Sequence, residues 1–249
     1  DEALTILKGI EGRIAVVAVA GLYRTGKSFL LNRVVLDLAA AWDDRPLVAI
    51  TGTNGKTTVT SLTAALIERA GLDVAVAGNI GPTLLDTLTE RLQGTLPQVW
   101  VLELSSFQLN DTEGFEPTAA TVLNLTQDHL DWHGDMNAYA DAKARIFGPD
   151  TVRVLNRNDA RSIKMGSAKA HCVSFGSDTP EQPDCLGLST EHGMQWLMLA
   201  VSTEEGEKKK RGKAAAETEL FMNRLMPADA LKIRGQHNAT NVLAALALC

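Results

Sequence analysis

Positive charge is in short supply: 24 Lys and Arg stand against 30 Asp and Glu, a formal net charge of −6. Surfaces that grip nucleic acid rely on Lys and Arg to neutralise phosphates, so this balance argues against a nucleic-acid partner. Small nucleotides, held locally by backbone amides, stay open. Long apolar runs are missing too. No stretch approaches the ~20 residues that cross a bilayer, and the sequence does not open with a basic segment and an apolar stretch, so a cytoplasmic protein with no membrane insertion is expected. Cysteine is rare. Cys172, Cys185 and Cys249 are odd in number and lack metal-ligand spacing, which leaves them as reduced, structural thiols. Neither an internal repeat nor a long low-complexity linker interrupts the chain. Its 249 residues, 45% of them hydrophobic, can bury a substantial core as one large domain or two small ones.

What the chain does have is two candidate phosphate-binding loops. Residues 47–50 form a buried-strand pattern, followed by Gly52, Thr53, Asn54 and Gly55 and a helix that opens on Lys56, Thr57 and Thr58. Glycines let the backbone turn tightly there, and amides converging at a helix N-terminus favour an anion. Lys56 is placed to reach terminal phosphates and Thr57 a magnesium ion. The general pattern asks for Gly at position 50, where this chain has Ile50. Upstream, residues 13–20 read as a strand, and Gly21-Leu-Tyr-Arg-Thr-Gly26-Lys27-Ser28 fits the pattern completely. The two loops are one strand-helix unit apart, so a parallel sheet puts both on one carboxyl edge.

Strand and helix patterns then alternate. A helix over residues 56–70 stops at Gly71, and a strand over 73–77 ends in a loop that presents Asn79. The strand at 99–103 terminates in Glu103, as a magnesium-side carboxylate does. A strand over 119–124 exits into Asp128, His129, Asp131 and His133, and Asp135 caps a helix carrying Tyr139, Lys143 and Phe147. Strands at 152–156 and 171–175 close the series. The fold class is therefore α/β, a mostly parallel sheet with helices on both faces. Beyond Phe175 a small β-rich excursion is expected, with strands at 195–201 and 220–233 flanking a charged, solvated hairpin tip, before a final Ala/Leu-rich helix.

Five patches in order resemble the central domain of the Mur ligases: Thr51-Gly-Thr-Asn-Gly-Lys-Thr57, Gly78-Asn-Ile-Gly81, Leu102-Glu-Leu-Ser-Ser-Phe-Gln108, Asn124-Leu-Thr-Gln-Asp-His129 with Lys143, and Gly235-Gln-His-Asn238. The resemblance implies an ATP- and Mg2+-dependent ligase of peptidoglycan synthesis that activates a carboxylate as an acyl phosphate. The implied substrates are a UDP-muramoyl peptide precursor and D-glutamate, and a monomer is expected. It also implies roles for single residues. Lys56 would act on the transferring phosphoryl group, Thr57 and Glu103 would hold one magnesium and His129 a second, and Lys143 would be carbamylated. Asn79 and Ser105 would contact the muramoyl substrate and phosphates, and Asn238 and Asn241 the adenine. Read without the resemblance, Lys143 is a solvated helix lysine, His129 a loop histidine without a role, and the Asn and Ser residues serve turns and helix starts.

The chain divides at about residue 42 in this reading. Residues 43–249 are the Mur-ligase-like part, expected to lack the uridine-binding and C-terminal domains of that family and hence to ligate poorly. The first 36 or so residues resemble the P-loop region of guanylate-binding, dynamin-related GTPases. A rival function follows: GTP bound at Gly21, Gly26, Lys27 and Ser28, with Asp111 and residues 156–159 as weak partner motifs. A non-catalytic nucleotide-binding module is the third possibility.

Overall fold

The computed structural model describes residues 45–110, 112–202 and 220–249; the first P-loop, with Gly21, Gly26, Lys27 and Ser28, and also Asp111, lie outside the described residues. Strand β1 (Leu47–Thr51) is buried at every position. A parallel strand covered on both faces reads as a continuous apolar run, which is how it appears in the sequence. Helix α1 (Lys56–Arg69) starts after Gly55 in the left-handed conformation and gives way to Gly71 at φ 89°. Next come β2 (Val74–Gly78), α2 (Leu84–Leu92), β3 (Val99–Glu103), α3 (Ser106–Asn110) and β4 (Ala119–Val122). The single turn α4 (Leu130–His133) leads to α5 (Met136–Ala144), β5 (Val152–Asn156) and β6 (Cys172–Phe175). Strands β7 (Leu186–Glu191), β8 (Met194–Ser202) and β9 (Leu220–Pro227) precede the last helix, α6 (Gln236–Ala247).

All nine strands form one sheet in the order β2-β3-β1-β4-β5-β6-β7-β8-β9. Pairing is parallel from β2 through β7 and antiparallel for β7 with β8 and β8 with β9. Alternate residues face opposite ways. Val48, Ile50, Val101 and Val154 pack with Val59 and Ile67 of α1 and Val242 and Leu243 of α6. On the other face Ala49, Ala77, Leu102 and Val122 pack with Leu84 and Leu88 of α2, Leu109 of α3 and Tyr139 of α5. The expected two-faced α/β architecture is therefore present.

Three local expectations need correction. The β-rich region is no excursion, because its strands extend the main sheet. It also has a strand the sequence did not suggest, β7, where Gly187 interrupts the apolar pattern; a β-carbon there would run into the carbonyl of Asp178. The last strand stops at Pro227 instead of reaching residue 233, since proline offers no amide to continue the ladder. Phe147 lies beyond the end of α5.

The topology positions the site. From β1 the chain moves outward through β2, returns through β3 alongside β1, and then crosses to β4 on the other side. Ile50 and Gly78 both pair with Glu103, and Thr51 with Val122, so four strands end on one line around this switch point. Ligands of open α/β sheets bind in that crevice.

Candidate active site

Residues 52–55 are fastened to the exit of β4. The Thr53 amide donates to the Asn124 carbonyl at 2.9 Å, the Asn54 amide to Asn124 Oδ1 at 2.8 Å, and Asn124 Nδ2 donates back to the Asn54 carbonyl at 3.0 Å. Asn124 thus acts as a strand partner for a loop that has no strand of its own. Lys56 Nζ spans the loop, donating to the carbonyls of Gly52 and Thr53, each at 3.1 Å. Thr58 follows two residues along α1, half-buried.

Beside the loop, Thr57 Oγ1 donates to Glu103 Oε2 at 2.8 Å, and Asn79 Nδ2 to Glu103 Oε1 at 3.1 Å. The Asn79 amide also donates to the Glu103 carbonyl at 2.7 Å. Gly78 makes this approach feasible: φ is 116°, and a β-carbon there would collide with the Glu103 carbonyl oxygen. Glu103 is 2% exposed, and among the described residues no Lys, Arg or His nitrogen lies within 4.0 Å of its carboxylate. A buried carboxylate is normally paired with a cation or a metal, and this one accepts only from neutral donors, so its oxygens are open to a cation. The Thr57 hydroxyl and Glu103 carboxylate are hard oxygen donors at the head of the P-loop helix, a set that fits magnesium.

Lys143 is where the residue-by-residue reading fails. It is 2% exposed rather than solvated. Its Nζ donates to Thr51 Oγ1 at 3.1 Å and to the Gly52 carbonyl at 3.0 Å, while Thr51 Oγ1 donates onward to the Leu104 carbonyl at 2.7 Å. The Nζ also lies 4.9 Å from the centroid of the Tyr139 ring. Burial, followed by repulsion from Lys56, lowers its pKa to about 7 against the opposing pull of Asp128 and Glu103. A neutral amine is therefore well populated near neutrality.

His129 does not join the Thr57–Glu103 pair. It precedes α4 at φ 51°, its Nε2 is 3.5 Å from Asp128 Oδ2, and its ring lies 4.8 Å from that of Phe107. Ser105 is turned toward its own helix, its hydroxyl donating to Gln108 Oε1 at 2.9 Å. At the other end of the loop, Asn241 Oδ1 stands 2.8 Å from where a Gly55 β-carbon would be, and Asn241 Nδ2 donates to Asn238 Oδ1 at 3.3 Å. The start of α6 is therefore packed on the P-loop. Gly55→Ala, strained at φ 83° and crowded by Asn241, is expected to lower stability by about 1–2 kcal/mol in urea unfolding. An unchanged midpoint would refute the packing argument.

Residues 156–159, raised as a base-reading element, brace loops instead. Asn156 Nδ2 donates to the Leu123 carbonyl at 2.7 Å, and Asp159 Oδ2 accepts from the Leu125 amide at 2.8 Å.

A central parallel strand feeding a Gly-rich turn and a Lys-Thr helix, beside a strand that ends in a carboxylate, defines a P-loop α/β domain. The model of the Mur ligase middle domain matches residues 50–249, and the chain belongs to that family. The model of the guanylate-binding protein N-terminal domain matches residues 1–72. The chain is 54% identical over 241 residues to a UDP-N-acetylmuramoylalanine--D-glutamate ligase of Albidiferax ferrireducens, covering 92% of this chain and 47% of that protein. A ligase of the same name from a Polaromonas species is 58% identical over 217 residues, covering 82% of this chain and 36% of the relative. The chain thus spans about half, or less, of the length of these curated relatives. Among solved structures, a UDP-N-acetylmuramoyl-L-alanyl-D-glutamate--2,6-diaminopimelate ligase aligns with a TM-score of 0.58 at 25% identity, over 87% of this chain and 46% of that one. MurF of Thermotoga maritima in complex with ADP shares the fold, with a TM-score of 0.56 at 16% identity over 94% of this chain and 51% of that one.

Among the described residues no helix is long and apolar enough to cross a membrane.

Proposed function

We propose that residues 43–249 form the ATP-binding unit of a cytoplasmic, monomeric ligase that joins D-glutamate to UDP-N-acetylmuramoyl-L-alanine. The observation that carries this reading is the buried Glu103 carboxylate bonded to Thr57 at the head of the P-loop helix. The substrate choice draws support from relatives of that name at 54% and 58% identity. ATP lies along the loop amides of residues 52–58, with Asn238 and Asn241 on the adenine side. Lys56 leaves its carbonyl partners to neutralise the transferring phosphoryl group. Thr57 and Glu103 would hold magnesium, which would supply charge neutralisation there, and His129, beside Asp128, would serve a second ion. Asn79 and Ser105, released from Glu103 and Gln108, contact the muramoyl substrate and the phosphates; the muramoyl carboxylate becomes an acyl phosphate that the amine of D-glutamate attacks with release of phosphate. In its neutral form Lys143 adds carbon dioxide, forming an N–C bond and releasing a proton; a carbamate signal from labelled bicarbonate, lost in Lys143→Met, would report it.

A second reading, GTP at Lys27 and Ser28, is favoured by the match of residues 1–72 to the guanylate-binding domain. Calorimetric titration of ATP and GTP with magnesium into wild type, Lys27→Ala and Lys56→Ala separates the two. ATP should bind more tightly than GTP, and Lys56→Ala should lose at least about 2 kcal/mol of ATP binding, the order of one charge-assisted contact. Loss of binding in Lys27→Ala alone would transfer the function to the first loop.

A further inference from the structure

Helix α4 has no buried residue and is a single turn, too short to persist on its own. His129 enters it in a left-handed conformation that a β-carbon disfavours, so something outside the turn must hold it there. The side-chain hydrogen bond that reaches from α4 to another element is between His133 and Ser106, with Nε2 and Oγ 2.9 Å apart. Among the described residues α4 has no other such bond. Ser106 is 2% exposed and opens α3, three residues after Glu103.

Ring contacts surround this bond. The His133 ring lies 5.8 Å from Phe107 at an interplanar angle of 19°, 4.5 Å from Trp132 edge-on, and 5.2 Å from Tyr139. Phe107 in turn touches His129, and the Tyr139 hydroxyl is 3.2 Å from Thr53 Oγ1 on the P-loop. Burial, then repulsion from His129 and Lys143, holds His133 below its ordinary pKa, which favours the neutral ring. His133 is thus the point at which the His129 turn, the β3 exit and the P-loop meet.

We propose that His133 is a positioning residue, whose bond to Ser106 latches the His129 turn to the end of β3 and so fixes His129 relative to Glu103 and the P-loop. The inference rests on the proposed role of His129 toward magnesium and nucleotide. With the latch removed, α4 opens locally while the sheet stays folded.

The test uses the 249-residue chain as wild type, His133→Ala, His133→Gln and His129→Ala. Amide hydrogen exchange over residues 129–134 is measured alongside ATP affinity with and without magnesium. In His133→Ala, exchange in this segment should rise about tenfold while α1 and β3 are unchanged. The gain in ATP affinity that magnesium provides should fall about tenfold, as when a residue orienting a metal ligand is removed, with metal-free ATP affinity unaltered. His133→Gln, whose amide can reach Ser106, should recover part of both. Unchanged exchange in His133→Ala overturns the latch. Faster exchange with an intact magnesium effect overturns the positioning role, leaving a purely structural bond. A His129→Ala protein that binds magnesium and ATP like wild type refutes the reading of His129 itself, and with it the reason for positioning it.

Discussion

Lys143→Met will remove a rise in stability that the wild-type protein shows between pH 7 and pH 9. In the fold the amine has a pKa of about 7, against 10.5 for its ordinary value. Between those limits the unfolded chain holds a proton that the folded chain has released, so folding gains as pH increases. Below pH 7 both states are protonated and the wild type carries the full cost of a buried ammonium. Where the two states differ by one whole proton, stability changes by about 1.4 kcal/mol for each step of one in pH. The folded amine is still half protonated at pH 7, so by pH 9 the wild type should gain roughly 2 kcal/mol relative to Met. Every other titrating group is common to both proteins and cancels in the difference. Urea unfolding from pH 6 to 9 in carbon-dioxide-free buffer is the measurement. Parallel curves would mean that Lys143 is hydrated and titrates as an ordinary lysine.

Glu103→Gln will abolish most of the advantage that magnesium gives to ATP binding. The amide is isosteric. The Thr57 hydroxyl can rotate to accept from it while Asn79 donates to its oxygen, so the fold should be retained. A charge that no described cation balances is removed, so stability should hold or rise. What is lost is a hard anionic ligand, and magnesium-supported ATP affinity should fall about 100-fold, near 2.7 kcal/mol, with ATP alone bound as well as before or better. Calorimetry with and without magnesium gives both numbers on one protein. Wild-type affinity for ATP with magnesium in Glu103→Gln would remove the carboxylate from the site.

The contrast between these two residues shows how far the sequence reaches. Glu103 is legible because its signal is local: a short apolar run that terminates in an acid reads as a strand ending at the ligand edge. The same holds for Gly55, Lys56 and Thr57, where a tight turn, a helix start and the phosphate-facing groups lie within a few consecutive residues. The alternation of such units also determines the α/β class and the parallel sheet. The sequence alone thus established the sheet, the second P-loop and the acid beside it.

Tertiary structure decided the rest. Lys143 lies on a helix whose sequence gives no sign of burial, yet its partner Thr51 is 92 positions away. Whether that ammonium meets water or two buried oxygens depends on how α5 lies against β1. Asn124 braces the P-loop across 70 positions, and Asn241 closes on Gly55 only because α6 packs beside α1. Strand β7 was hidden because Gly187 answers to the Asp178 carbonyl, not to strand propensity. The position of His129, its ring tilted against Phe107, is likewise set by contacts outside a turn too short to specify itself. Local chemistry is written in neighbouring residues, whereas burial and long-range approach are set by the packing of elements far apart in the chain, and those packings bring a lysine and two asparagines against the P-loop.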